Sequence, residues 1–269
     1  MALTLAAARR AVAAERCECV TECKAFRHFR AAVARGDTGG GVGPTTAVPA
    51  VDVGRGATAT RGLPGTGAAT REATETSLVR TYRQRVMADG TQTDESIAEH
   101  VSAELGPDLA AVVCTGSLTP QHRQALLDRV DLALDARASF VAVLDREDAS
   151  LEAVETACQR VRAELRRARA WETAPTSAGF DATFDAALAA WDRLDDLAAV
   201  LDAAADDRQA TLASHRRSLT TVDADVTEYL YEGRPGLAAI ASVGRDLDTG
   251  RRVVTRTVGR ADDTQPPGW

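Results

Sequence analysis

A chain of 269 residues with a net charge of −7 and a pI near 5.2 repels polyanions, which argues against non-specific nucleic-acid binding as its main activity. Aromatic residues make up only 4 % and Ile97 and Ile240 are the only isoleucines, so a thick globular core is not expected. The apolar content is mostly Ala, Leu and Val, which suits long helices meeting along narrow seams.

Lys24 is the only lysine among 32 basic residues. Together with abundant Asp and Ala this composition points to a GC-rich genome and a salt-loving source, where the Debye length shrinks to roughly 3 Å and surface ion pairs count for little. No stretch approaches the roughly 20 consecutive apolar residues of a membrane-spanning helix. The first residues place arginines after a short apolar run, the reverse of a secretory signal, so a cytoplasmic location is expected. Five cysteines, an odd number, argue against a disulfide framework.

Residues 1–35 predict an amphipathic helix. Leu5, Val12, Cys19, Phe26 and Val33 recur every seven residues, Ala8 and Phe29 add part of a second row, and Gly36 is a natural stop. Such a stripe is made to meet another helix. Residues 36–70 hold ten of the 20 glycines and three of the nine prolines, with almost nothing bulky, and predict a disordered Gly/Thr/Pro linker. Residues 71–119 predict short helices. One lies within "REATETSLVRTYRQRVMA", one is capped by Asp94 and ended by Gly106-Pro107, and one is "DLAAVVCTG".

Residues 120–222 predict a long antiparallel helical hairpin. Thr119 is positioned as N-cap and Pro120 as first helical residue, and no further Pro or Gly interrupts the chain until about Trp171. A helix of some 50 residues would be ~75 Å long. Leu127, Leu134 and Val141 form one seam row, and Val130, Leu144, Leu151, Cys158 and Leu165 the other. "ETAPTSAG" reads as a turn, and a second arm from Phe180 to about Leu219 carries the stripe Phe184, Leu188, Trp191, Leu194, Ala198, Leu201, Ala205, Leu212 and Leu219. Arg160, Arg162, Arg166, Arg167 and Arg169 are expected to face Asp181, Asp185, Asp192, Asp195 and Asp196 across the turn. Residues 223–260 predict C-terminal helices, the last with Leu237, Ile240, Leu247, Val254 and Val258 on one face, and residues 261–269 a frayed tail. The fold class is all-α, an elongated antiparallel coiled-coil hairpin with small accessory helices.

The cluster Cys17, Cys19 and Cys23 invites a metal or redox reading. Each helical residue turns by about 100°, so Cys19 and Cys23 are roughly 40° apart and Cys17 faces away. One helix cannot bring all three to a tetrahedral ion, and no C-x₂-C occurs. Packing of Cys19 and Cys23 is the preferred reading, with Cys17 the expected exposed thiol, and a metal or thiol-redox role remains as an alternative. His28, His100, His122 and His215 form no pair at metal-ligand spacing, although His100 has Glu104 one turn away. No phosphate loop, nucleophile elbow or calcium loop is present, so no catalytic residue, cofactor or small-molecule substrate is assigned. Candidate interaction residues are Phe26 and Phe29 on the first helix, and Tyr229 and Tyr231 in "EYLYEGRP", the most aromatic point of the chain.

The order of "KAFRHFRAAV", "VRTYRQRVMA", "IAEHVSAELGPDLA", "LTPQHRQALL", a long hairpin and "YLYEGRP" resembles a family of uncharacterised proteins from halophilic archaea, known as a domain of unknown function. The resemblance covers most of the chain outside residues 36–70 and implies no activity, cofactor or site residues, and the cysteine cluster is not part of it. The expected function is a non-enzymatic interaction or scaffold protein acting through helical surfaces, with a protein partner or by self-association. The alternative is a nucleic-acid-associated regulator using residues 1–35, where seven basic residues outnumber three acidic ones, helped by Arg251, Arg252, Arg256 and Arg260.

Overall fold

The computed structural model describes residues 4–36, 76–87, 96–116, 118–170, 180–218, 226–231 and 233–263. The expected linker, the turn after Trp171 and the tail from residue 264 lie outside these. The fold is all-α, with eight helices among the described residues: α1 (Leu5–Arg35), α2 (Ser77–Arg85), α3 (Ile97–Leu105), α4 (Pro107–Thr115), α5 (Pro120–Ala170), α6 (Phe180–Ser218), α7 (Val226–Leu230) and α8 (Pro235–Asp263). They form two compact units, one of Met1–Thr21 with Arg137–Trp269, the other of Glu22–Ala136.

In the Glu22–Ala136 unit, short helices are defined by their ends. Thr76 caps α2 by accepting a hydrogen bond from the Val79 amide at 3.2 Å. Ser96, not the expected Asp94, caps α3: its hydroxyl accepts from the Glu99 amide and the Glu99 carboxylate accepts from the Ser96 amide, satisfying two orphan donors reciprocally. Pro107 opens α4 and Gly116 closes it at φ 70°, where a Cβ would stand 2.8 Å from the Thr76 side chain. Thr119 caps α5, accepting from the His122 amide at 3.1 Å, and Pro120 is its first residue. Around these ends a core forms from Phe26, Phe29 and Val33 of α1, Leu78 and Tyr82 of α2, Val101 and Leu105 of α3, Val113 of α4, and Leu126 and Val130 of α5. Phe29 meets Tyr82 edge-on at 5.0 Å, and the Tyr82 hydroxyl lies 2.8 Å from His100 Nδ1. His100 therefore partners a tyrosine. Arg30 grips Asp131 with two hydrogen bonds of 2.5 and 2.9 Å.

In the other unit, four helical stretches alternate in direction. Residues 5–21 of α1 run antiparallel to α5, because Arg9 reaches Asp148, Glu152 and Glu155, Arg16 reaches Asp145, and Cys19 Sγ donates to the Arg137 carbonyl at 3.6 Å. Arg208 of α6 meets Glu147 of α5, and Arg146 meets Ser218. Asp195 of α6 pairs with Arg251 of α8, while Gly236 approaches Arg208, so α8 reverses again. The expected seven-residue stripe of α1 is the packing face: Val12, Cys19, Phe26 and Val33 are buried, Leu5 partly so, and Cys17 is exposed.

The seam between α5 and α6 departs from a two-helix coil. Val154, Cys158, Val161 and Leu165 of α5 and Ala187, Leu194, Leu197 and Leu201 of α6 share their core with Ile240, Val243, Leu247 and Val254 of α8. The third helix turns α6, and Ala187 takes an inward place. Phe184, Leu188 and Trp191, expected on the seam, remain 48 %, 54 % and 37 % exposed. Nor do the described members of the arginine run of α5 pair with acids of α6, while the side chains of Arg169 and Asp181 lie outside the described residues. At about 100° per residue Arg162 and Arg166 lie together on one side of the buried stripe Val154, Cys158, Val161 and Leu165, and Arg160 and Arg167 together on the other, so the run is split across the helix. Arg160, Arg162, Arg166 and Arg167 are exposed, and among the described residues none pairs with an acid of α6. Arg167 bonds Glu164 of its own helix instead.

Candidate functional site

The only buried charged residues among those described meet at one point in the unit of Met1–Thr21 with Arg137–Trp269. Glu147 projects from α5, three residues after buried Leu144 and four before Leu151, and Arg208 and His215 project from α6, Arg208 seven residues after buried Leu201 and His215 three after Leu212. Tyr231 follows α7 and is buried with Ala8, Val12, Leu144 and Leu151. Arg208 Nη1 donates to Glu147 Oε2 at 2.7 Å and to Ser150 Oγ at 3.1 Å, and Arg208 Nη2 donates to Glu147 Oε1 at 2.6 Å. The Tyr231 hydroxyl donates to the same Oε1. His215 Nδ1 stands 3.5 Å from Oε2.

This arrangement is closed. Both carboxylate oxygens are engaged by a two-pronged guanidinium and one also by a phenol, with no water-facing surface on Glu147. Burial, and then the Glu147 charge, push the Tyr231 phenol well above the ordinary tyrosine range, so it stays a neutral donor. On its other edge Arg208 Nε faces Gly236, where a Cβ would come within 3.0 Å. A buried pair of this kind is poor evidence of stability in itself, since desolvation offsets much of the attraction. Its effect is to demand one alignment of α5, α6 and the segment after α7.

A cleft of about 810 Å³ runs beside this centre between α5 and α6, walled by alanines including Ala149, Ala153, Ala157, Ala203 and Ala204. Arg208 and Ser150 reach its wall, but both guanidinium Nη atoms are already directed at Glu147. Its polar lining among the described residues is Arg146, Ser150, Asp207, Arg208, Thr211 and Ser214. Among the described residues no three His, Cys, Asp or Glu side chains converge where an ion could be held.

Three of the residues expected to mediate interactions are core residues instead. Phe26 and Phe29 are fully buried against α2 and α5, because the aromatic-basic stretch puts its rings on the packing stripe. Tyr231 is buried by its bond to Glu147. Tyr229 points outward at 60 % exposure, packs edge-on to Phe140 at 6.2 Å and donates to Glu15 at 2.9 Å. Cys17 is exposed and Cys19 and Cys23 are buried apart from it, so the three thiols do not meet. Glu147 and Arg208 were missed in the sequence because a charged residue at a seam position looks like any solvated one. The available signal was that both fall in register with the buried leucines of their helices, Leu144 and Leu151 for one and Leu201 and Leu212 for the other.

No helix among the described residues is long and apolar enough to cross a membrane. No curated protein and no solved structure matches the chain. A family model described as a domain of unknown function, DUF7260, matches residues 3–251, nearly the whole chain, and the protein therefore belongs to that family.

Proposed function

We propose that this protein is a non-enzymatic interaction or scaffold protein that works through its helical surfaces. The observation that carries this reading is the concentration of exposed large apolar side chains on α6. Phe184, Leu188 and Trp191 account for three of the five such residues among those described, and all three lie within eight positions. The other polar centre of the molecule supports it by contrast, since Glu147 is occupied on every side and excludes solvent. The lysine-poor, aspartate-rich composition supports a halophilic source, in which apolar contacts outlast screened surface charges.

The test is sedimentation of the purified full-length chain, with crosslinking of the chain in cells of its source. A stoichiometric complex, with itself or with a defined protein, is the expected result. A monomer that crosslinks to nothing overturns the reading.

The nucleic-acid alternative loses support on α1. Arg9, Arg16 and Arg30, three of its seven basic residues, are engaged by acids of α5. If it held, filter binding to duplex DNA would depend on residues 1–35. A metal or thiol-redox role is the weakest reading, because the thiols of α1 diverge.

A further inference from the structure

We infer that the exposed face of α6 is the docking surface for a basic amphipathic helix of another protein; this rests on the scaffold reading and names its partner's chemistry. Phe184, Leu188 and Trp191 follow an i, i+4, i+7 spacing, which places them within about 60° of one another on one side of the helix. That side is opposite the one facing the alanine cleft, whose α6 wall is Val200, Ala203, Ala204, Asp207 and Thr211. The ridge is therefore a separate surface from the seam that holds α5.

Charge decides what can cover it. Between residues 184 and 207 of α6, Asp185, Asp192, Asp195, Asp196, Asp202, Asp206 and Asp207 are exposed and Arg193 is the one exposed base. Among the described residues only Asp195 of these is ion-paired, to Arg251. Arg160, Arg162, Arg166 and Arg167 of α5 pair with none of these aspartates among the described residues. A second copy of this chain laid ridge to ridge would set aspartates against aspartates, and like charges juxtaposed across an interface are costly. A helix with leucines on one face and lysines or arginines beside them meets both the ridge and its acidic flanks.

Size sets the strength. Phe184, Leu188 and Trp191 are only about half exposed, so of the roughly 150–250 Å² of a large side chain each can still bury about 70–130 Å², which leaves the apolar centre below the roughly 600 Å² per partner of the smallest stable complexes. The partner is therefore a transient one, held by the ridge together with close contacts between its cations and the flanking aspartates, since screening leaves only charges in contact to select it.

The experiment uses the full chain with Trp171→Phe and Trp269→Phe, so that Trp191 is the sole tryptophan. The probe is a synthetic 18-residue Leu/Lys helix with leucines at i, i+3, i+4 and i+7, against a scrambled peptide of equal composition. The expected result is a saturable blue shift of Trp191 emission with the patterned peptide. Leu188→Asp should weaken binding by about tenfold or more without changing the melting temperature, because Leu188 is exposed. Asp185→Asn with Asp192→Asn should weaken binding and flatten its dependence on salt. Absence of binding, equal binding of the scrambled peptide, or indifference to Leu188→Asp overturns the inference. So does sedimentation as a dimer that Leu188→Asp dissociates, because the ridge then belongs to a second copy. If the peptide fails while a stoichiometric complex is still recovered in the crosslinking experiment, only the basic partner is lost and the scaffold reading stands.

Discussion

The two units hold their helices in register by different means. The Glu22–Ala136 unit buries Phe26, Phe29 and Tyr82 among short helices whose ends are fixed by Thr76, Ser96 and Thr119. In the other unit Tyr231 is the one buried aromatic side chain among those described, and long alanine- and leucine-rich helices enclose Glu147 and Arg208. Aromatic rings specify orientation by shape, since an edge-on pair such as Phe29 and Tyr82 fits in one way. Small aliphatic side chains do not, because sliding a long helix by one turn exchanges one alanine or leucine for another at little cost. A buried carboxylate that needs both a guanidinium and a phenol in place rejects such slips. Alanine-rich seams gain length at the expense of specificity, and the polar centre restores it.

The sharpest way to break this comparison is Glu147→Ala. It leaves Arg208 buried without its partner and Tyr231 without its acceptor, and should cost about 3–5 kcal/mol of unfolding free energy, measured by urea denaturation. Replacing both partners, Glu147→Leu with Arg208→Leu, should recover most of that loss, since an apolar pair of similar volume pays no desolvation. What the double variant should lose is uniqueness, seen as a broader thermal transition and binding of a hydrophobic dye. A double variant with a transition as sharp as the parent's would remove the register argument.

The matching change in the aromatic unit is Phe29→Ala, a core truncation expected to cost about 3–4 kcal/mol. Its effect should be local. Hydrogen exchange should accelerate in α2, α3 and α4 while α6 keeps its protection. Uniform acceleration throughout the chain would show that the two units unfold as one.

Much of this fold is legible in the sequence. The stripe of α1, the Thr119–Pro120 start of α5 and the bounds of the two long helices follow from period, caps and breakers, which are local rules. The failures share one cause. Each concerns which neighbour a helix face meets, and that depends on elements distant in sequence. Phe184, Leu188 and Trp191 fit a seam well until α8 claims the other side of α6, and Asp195 fits a ladder to α5 until Arg251 takes it. Phe26 and Phe29 followed the stripe correctly but not the use assigned to them, since rings on a packing face are consumed by it. The Glu147 centre was the least visible, because pattern reasoning treats an acid at a core position as an interruption.

Tyr231→Phe removes one donor to Glu147 and should cost about 1 kcal/mol at neutral pH. Its diagnostic value lies at high pH. The folded phenol is raised above its unfolded value of about 10, so the folded state resists losing that proton while the unfolded state does not. The stabilisation is fully present below about pH 10 and declines as pH rises beyond it. Urea denaturation of parent and variant should therefore show the parent's advantage shrinking between roughly pH 10 and 12. A constant difference over that range would mean that Tyr231 contributes by packing alone.

The smallest effect belongs to an ion pair at the surface of the aromatic unit. Arg30 holds the Asp131 carboxyl below the ordinary carboxylate range, chiefly through their hydrogen bond. A lowered value works in the opposite sense from Tyr231. The contribution is present above the unfolded value of about 4 and is lost as pH falls through the folded one. Asp131→Asn should therefore reduce the melting temperature slightly at neutral pH, with parent and variant converging below about pH 4. Both groups are solvent-accessible, so the difference should also vanish at about 1 M salt, where screening acts over roughly 3 Å. The Glu147–Arg208 pair, which salt cannot reach, should keep its full effect under the same conditions. If Glu147→Ala loses its penalty in salt as Asp131→Asn does, the polar centre is not sealed, and the distinction between the two units fails at its main point.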